Sequence, residues 1–114
     1  MLVPHTFVAL LFWMMVAHAL CDYPLQGDWI AVAKNPTSEP GKTLWPWVLP
    51  MHGLIHGGAV ALITGSVGLG IVEAILHCGI DYTKCRGKIS YGQDQLLHWG
   101  LKVLYAALLA TAFV

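Results

Sequence analysis

The sequence predicts an all-α integral membrane protein, a bundle of about four transmembrane helices. Of its 114 residues, 57% are hydrophobic and 11% are charged, whereas soluble domains carry about 25% charged residues. The mean hydropathy is +0.65. The chain also contains apolar segments close to the length of about 20 residues that a helix needs to cross a bilayer. Together these features favour a protein whose outer surface faces lipid.

Four segments are the predicted spans, and they form a single helical domain over residues 1–114. They cover approximately residues 4–21, 48–64, 67–83 and 93–114. A polar loop with prolines and a glycine joins the first two spans, and a short interfacial helical turn precedes it. The glycine-rich run 65–70 separates the second span from the third, because glycine allows a sharp change of chain direction.

The basic residues predict the orientation of this bundle. Most of them lie in or beside the loops 22–47 and 82–93, which four spans place on the same side: Lys34, Lys42, Lys84, Arg86 and Lys88. Because cytoplasmic loops carry an excess of Lys and Arg, both loops are predicted to be cytoplasmic and both termini external. We therefore expect a multi-pass membrane protein, with lipids as its partners.

Charge and cysteine usage exclude some classes of function. Six Lys and Arg balance six Asp and Glu, so no basic field favours nucleic acid. The three cysteines contain no CxxC pair, which argues against a thiolate zinc site or a disulfide framework. A homo-oligomer or another protein partner is left open.

Each predicted span carries two ligand-type residues spaced i, i+4, which places both on one helix face. The pairs are His18 with Asp22, His52 with His56, His77 with Asp81, and Asp94 with His98. In the predicted topology all four pairs lie at the cytoplasmic end. Imidazole and carboxylate are ligands for zinc, iron or manganese, so the pattern predicts a divalent metal site, with zinc preferred. A hydrogen-bonded polar cluster that only orients the helices is the alternative.

The last two spans align in more detail if they are antiparallel. Three facing pairs then follow at intervals of about 5.4 Å, one helical turn: Asp81 with Asp94, His77 with His98, and Glu73 with Lys102. Because charges are costly in hydrocarbon, the last pair should point inward. Lys102 then supports the site by pairing with Glu73. The alternative to a purely structural ion pair is a catalytic role for Glu73, as a general base beside a metal-bound water.

These motifs resemble a bacterial and phage family of small membrane proteins described as a domain of unknown function. Its pattern is HxxxDxPLQ, a downstream Lys, HxxxH, HxxxDxxK and DQxxH. In this chain it falls on His18, Asp22, Pro24, Leu25, Gln26, Lys34, His52, His56, His77, Asp81, Lys84, Asp94, Gln95 and His98. The resemblance implies membrane location and adds supporting roles for Gln26, Lys34, Lys84 and Gln95. More distantly, HxxxH followed by HxxxD resembles an inner-membrane family named as metal-dependent hydrolases.

Two functional hypotheses follow. The first is a metal-dependent hydrolase acting on a lipid-linked phosphate or ester, whose anionic group Lys84, Arg86 and Lys88 would attract. A role of those three residues in setting the topology explains them equally well. The second hypothesis is a non-enzymatic structural or interaction protein of the membrane, which would act on the host envelope if the gene is phage-encoded.

Overall fold

The computed structural model describes residues 3–112, and within this range the chain is all-α, as predicted. Its five helices are α1 (Phe7–Asp22), α2 (Gly27–Ala33), α3 (Gly41–Thr64), α4 (Val67–Cys85) and α5 (Tyr91–Ala112). The fourth predicted span extends to residue 114, so its last two positions lie outside the described residues. The interfacial turn expected near residues 28–34 corresponds to α2.

The four long helices form a closed ring. Helix α1 packs against α3 and α5, and α4 packs against the same two helices. The bundle measures 49 × 23 × 22 Å along its principal axes. Helix α2 is bent by 82° relative to α1 and packs against α3. This arrangement gives the bundle an interior to which all four long helices contribute side chains.

Local chemistry explains the turn between α3 and α4. Gly65 ends α3 with φ of 74°, a left-handed conformation that favours glycine. The Oγ of Ser66 then accepts a hydrogen bond from the Leu69 amide at 3.1 Å and caps α4. The reversal therefore needs only two residues, and the rest of the glycine-rich run belongs to α4.

Helix α3 is longer than the sequence indicated, because it begins at Gly41 rather than near residue 48. Pro46 and Pro50 lie inside it; each lacks one backbone donor but leaves the remaining helical hydrogen bonds possible. The earlier start changes the position of two predicted ligands. His52 and His56 are residues 12 and 16 of the 24 in α3, so they lie near its middle rather than at its beginning, where the sequence placed them.

Small residues bring α3 and α4 into close contact. A Cβ atom added to Gly57 would lie 2.3 Å from the Gly70 carbonyl oxygen, and one added to Gly53 would lie 2.4 Å from Cys78 Sγ. Only glycine allows backbones to approach this closely, a packing mode typical of membrane helices. The close approach places the inward-facing residues of α3 directly against those of α4.

The interior has an apolar half and a polar half. The apolar half lies towards the α3–α4 turn and contains Leu10, Met14, Val60, Tyr105 and Ala106. The polar half lies towards the α4–α5 loop and contains nearly all of the predicted site residues. The core therefore supports the bundle at one end and frames a site beside it.

Among the described helices, α3 alone has both the length and the hydropathy of a membrane span. Helices α1 and α2 pass the same test only if they are taken together across their bend. Charged residues on the inner faces of α4 and α5 lower the mean hydropathy of both. By length and hydropathy alone, the structure supports one membrane-crossing helix, or two, and the four-span bundle stays a prediction.

Candidate metal centre

Among the described residues, five imidazoles and four carboxylates meet in the polar half of the bundle. The cluster has members from all four long helices: His18 and Asp22 from α1, His52 and His56 from α3, Glu73, His77 and Asp81 from α4, and Asp94 and His98 from α5. All are buried except Asp22, whose side chain is 9% exposed. The structure thus brings together every residue that the sequence predicted as a metal ligand.

One set of ligand atoms has the dimensions of a tetrahedral site. The first ligand group is Asp22, His52, His56 and His77. His56 Nε2 lies 2.8 Å from Asp22 Oδ1, His52 Nε2 lies 3.2 Å from His77 Nε2, and Asp22 Oδ1 lies 3.5 and 3.8 Å from His52 and His77. Ligands at 2.0–2.1 Å in a tetrahedron are about 3.3 Å apart, so these four residues can hold a divalent ion.

A second ligand group lies beside the first and consists of Asp81, Asp94 and His98. His98 Nε2 is 3.3 Å from Asp81 Oδ1 and 3.3 Å from Asp94 Oδ1. The other oxygen of Asp81, Oδ2, is 3.5 Å from His52 Nε2 and 3.6 Å from His77 Nε2. The Asp81 carboxylate therefore lies between the two groups.

Several of these atoms are buried without a hydrogen bond, namely Asp22 Oδ1, His56 Nε2 and Asp94 Oδ1. Asp22 Oδ1 and His56 Nε2 are close, but their directions do not suit a hydrogen bond between them. Because buried polar atoms in proteins nearly always have a partner, atoms without a hydrogen bond that belong to these ligand groups fit metal ligands. The residues present are therefore suited to a divalent ion.

The Gln95 amide links the two groups to His18. Its Oε1 accepts a hydrogen bond from His18 Nε2 at 3.1 Å, and its Nε2 donates to Asp22 Oδ2 at 3.1 Å and to Asp94 Oδ2 at 3.0 Å. Gln95 thus orients one carboxylate of each group. His18, predicted as a ligand, instead lies against Asp22 and Gln95 and belongs to neither group.

Glu73 and Lys102 form the expected buried pair, with Lys102 Nζ 2.5 Å from Glu73 Oε1. The Tyr105 hydroxyl donates to Glu73 Oε2 at 2.9 Å. His77 Nδ1 lies 3.5 Å from Glu73 Oε1, the position from which a carboxylate orients a ligating imidazole. Because both oxygens of Glu73 are engaged, this geometry suits a support for His77, and the general-base role stays a prediction.

Lys34 also reaches the cluster, although it lies far from it in sequence. Its Nζ donates to Asp81 Oδ2 at 2.5 Å, and both side chains are at most 3% exposed. Helix α2, which packs on α3, carries the chain to Lys34 immediately after Ala33. The chain segment after the bend therefore closes the polar end of the bundle and neutralises one carboxylate.

A cavity of about 110 Å³ connects the cluster with the protein surface. It is lined by Asp22, Tyr23, Gln26, Lys34, Lys84, Tyr91 and Gln95. Lys84 Nζ is 4.0 Å from Asp94 Oδ2, and the exposed Tyr23 and Tyr91 share a hydrogen bond between their hydroxyls. Four larger hollows, of about 380, 190, 370 and 410 Å³, have mainly apolar linings, and none of the candidate ligands lines them.

Comparison with known proteins adds a family. Residues 10–113 match the model of a family described as a protein of unknown function (DUF3307). The chain belongs to this family. No curated protein and no solved structure matches the chain. Membership of a family of unknown function is therefore confirmed, whereas the likeness to metal-dependent hydrolases stays a prediction.

The matched region of this DUF3307 chain includes all the candidate ligands and supporting residues. Three tyrosines of the site were not predicted from the sequence. Tyr105 lies one helical turn after Lys102 on the same face of α5, which was the available signal. Tyr23 and Tyr91 gave no comparable signal, because Tyr23 directly follows α1 and Tyr91 begins α5, so they are far apart in the sequence. Of the basic trio, Lys84 alone lines the cavity, while Arg86 lies 5.9 Å from the Tyr82 ring.

Proposed function

We propose that this chain is a multi-pass membrane protein whose His/Asp cluster binds a divalent metal ion, preferably zinc, and hydrolyses a phosphate or ester bond of a membrane lipid. The observation that carries the proposal is the buried first ligand group, in which Asp22 Oδ1 and His56 Nε2 lie 2.8 Å apart without a hydrogen bond. A polar cluster with a purely structural role would be expected to pair such atoms.

The distribution of side chains supports the membrane part of the proposal. Glu73 and Lys102 are 0% and 1% exposed, whereas Val67, Ile75 and Leu96 are 65–70% exposed. A water-soluble protein shows the opposite preference. Helices α4 and α5 therefore present apolar outer faces even though their inner faces are charged, as lipid requires. Helix α1, with 16 residues, is about 24 Å long, shorter than the hydrocarbon core of about 30 Å, and reaches the length of a span only together with α2.

The cluster offers the parts that metal-assisted hydrolysis needs. The residues of the two ligand groups would hold the metal, which would supply an activated water at neutral pH. Glu73 orients His77, and Gln95 orients Asp22 and Asp94, as carboxylates and amides around metal ligands do. The cavity beside Lys84 gives a substrate a path to these groups and places a positive charge at its wall.

One observation favours the non-enzymatic alternative. The pairs Lys34 with Asp81 and Lys102 with Glu73 are buried and join different parts of the chain. They would fix the bundle whether or not an ion binds. A structural or interaction protein of the membrane would need these pairs but would not need the unpaired ligand atoms.

The test is the metal content of protein purified in mild detergent without chelators, measured by inductively coupled plasma mass spectrometry. We expect a bound divalent metal in the wild type and a lower metal content in His56→Ala. The matched control is His5→Ala, which removes a histidine at the other end of α1. Gel filtration and circular dichroism of each variant would show whether it keeps its fold.

The same samples would then be assayed for hydrolysis of fluorogenic phosphate monoesters, phosphate diesters and carboxylic esters in mixed micelles. Hydrolysis that depends on the metal and is lost in His56→Ala supports the enzyme. A metal-free wild type that stays metal-free on titration with zinc, iron and manganese would exclude the metal centre. Bound metal with no hydrolysis of any of the three substrate types would favour the structural alternative.

A further inference from the structure

We propose that the cluster is a two-ion centre, in which Asp22, His52, His56 and His77 hold one ion and Asp81, Asp94 and His98 hold a second. The inference rests on the proposed function, since it requires that the cluster bind metal at all. It adds the number of ions, the bridging residue and the chemical class of the substrate.

The first site is complete without any ligand from outside the chain. Four of the distances between its ligand atoms range from 2.8 to 3.8 Å. Ligand atoms around a tetrahedral zinc ion are about 3.3 Å apart. Sites closed by four protein ligands usually have a structural or charge-balancing role, whereas catalytic sites keep one position open. The first group therefore leaves the reaction to a neighbouring ion.

The second site has three protein ligands, the number found in catalytic zinc sites. Its member Asp94 contacts two residues that line the cavity, Gln95 at 3.0 Å and Lys84 at 4.0 Å. The second group is thus adjacent to the cavity, and its remaining coordination position is available to a water or a substrate that enters there.

Asp81 connects the two sites. Its Oδ1 is 3.3 Å from His98 Nε2 in the second group, while its Oδ2 is 3.5 and 3.6 Å from His52 and His77 in the first. A carboxylate whose two oxygens face different ligand groups is placed to bridge two ions, and the bridge requires that Lys34, which donates to Oδ2 at 2.5 Å, move away from that oxygen. Two-ion hydrolytic sites keep their metals about 3.5–4 Å apart, which a bridging carboxylate allows.

A competing group, made of Glu73, His77 and His98, is less suited to the second ion. Lys102 and Tyr105 occupy both oxygens of Glu73 at 2.5 and 2.9 Å. His77 Nε2 also belongs to the first group, at 3.2 Å from His52 Nε2. An ion at this place would have to displace a buried lysine from Glu73 Oε1. The second group can instead use Asp81 Oδ1, which lies 3.3 Å from His98 Nε2, because the buried Lys34 contacts the other oxygen, Oδ2.

The charge of the centre indicates the substrate class. Four carboxylates, Asp22, Glu73, Asp81 and Asp94, face three lysines, Lys34, Lys84 and Lys102. With neutral imidazoles the centre carries one negative charge, and two divalent ions change this to three positive charges. An anionic phosphate group offsets such a charge, whereas a neutral carboxylic ester does not. We therefore infer that the substrate is a phosphate ester.

The experiment counts ions in the intact chain. Detergent-purified protein would be stripped with a chelator, titrated with Mn²⁺ or Zn²⁺, and analysed for bound metal per chain. We expect two ions in the wild type and in the control His5→Ala, and one ion in each of His56→Ala and Asp94→Asn. Electron paramagnetic resonance of the Mn²⁺-loaded wild type should show exchange-coupled ions, and either single-site variant should show the spectrum of an isolated ion.

Each result decides a separate point. One ion per wild-type chain would overturn the two-ion centre but leave the proposed metal site intact, while no ion would overturn both. Two ions without exchange coupling would refute the Asp81 bridge. If a variant fails to fold, the wild-type titration and its spectrum still decide the stoichiometry. Inorganic phosphate should change the coupled spectrum, and an unchanged spectrum at millimolar phosphate would contradict the inferred substrate class.

Discussion

Replacing Lys102 by methionine removes the partner of a buried carboxylate and keeps the length of the side chain. Lys102 Nζ lies 2.5 Å from Glu73 Oε1, and the two side chains are 2% and 0% exposed. Removing one partner of a buried pair costs about 3–5 kcal/mol. Because the Tyr105 hydroxyl still donates to Glu73 Oε2 at 2.9 Å, we expect the lower end, a loss of about 3 kcal/mol in the free energy of unfolding.

The second change, Glu73→Gln, removes the charge and retains an oxygen that can accept the Tyr105 hydrogen bond. The double variant should therefore be more stable than the sum of the two single losses predicts, with a coupling energy of at least about 2 kcal/mol. The measurement is reversible unfolding in mixed micelles of mild detergent and dodecyl sulfate, followed by tryptophan fluorescence. The exposed Lys88, changed to Met, is the control. Strictly additive losses would refute the contact.

Two further predictions concern the bundle and its orientation. Gly57→Ala should destabilise the protein by about 1–3 kcal/mol, because its Cβ would lie 2.3 Å from the Gly70 carbonyl oxygen. The control Gly58→Ala should not destabilise it, since no atom lies within 4 Å of the added Cβ. Equal losses for the two variants in the same unfolding assay would contradict the close packing. The orientation can be tested in a cysteine-free background with a membrane-impermeant maleimide added outside intact cells: Ser66→Cys should react and Lys88→Cys should not. The reverse labelling pattern would mean that the topology is inverted.

The i, i+4 spacing was enough to predict that the ligand-type residues meet in the interior, because an apolar surrounding restricts where ionisable residues can lie. Two such residues four positions apart share one helix face. In a bundle with an apolar outer surface, that face must point inward. Applied to His77 with Asp81 and to Asp94 with His98, the rule places all four in one interior, where the structure finds them within the two ligand groups.

The parts that sequence reasoning did not predict depend on long-range packing. Lys34 pairs with Asp81, 47 residues away, because α2 bends by 82° from α1 and packs on α3. Spacing within one helix carries no information about such a bend. Helix α3 begins at Gly41, before the predicted span, and continues through Pro46 and Pro50, although proline is unfavourable inside an isolated helix.

The position of His18 shows why spacing identified a set of candidates but not the role of each. His18 and Asp22 share a helix face, as predicted, yet Asp22 Oδ1 joins the first ligand group while His18 Nε2 is 3.1 Å from the Gln95 amide oxygen. Which member of a pair becomes a ligand depends on distances of about an ångström, set by the partner helix. No pattern in one helix determines that distance.

The polar contacts that hold the bundle together also position the ligands. The proposed membrane location gives such contacts particular weight, because in lipid there is little hydrophobic driving force between helices and small residues and polar contacts determine the packing. Here the pairs Lys34 with Asp81 and Lys102 with Glu73 provide such contacts next to the ligand groups. The Glu73 carboxylate fixes α4 against α5 and also lies 3.5 Å from His77 Nδ1. Stability and ligand orientation therefore depend on the same side chains, so a change in either pair should affect both properties.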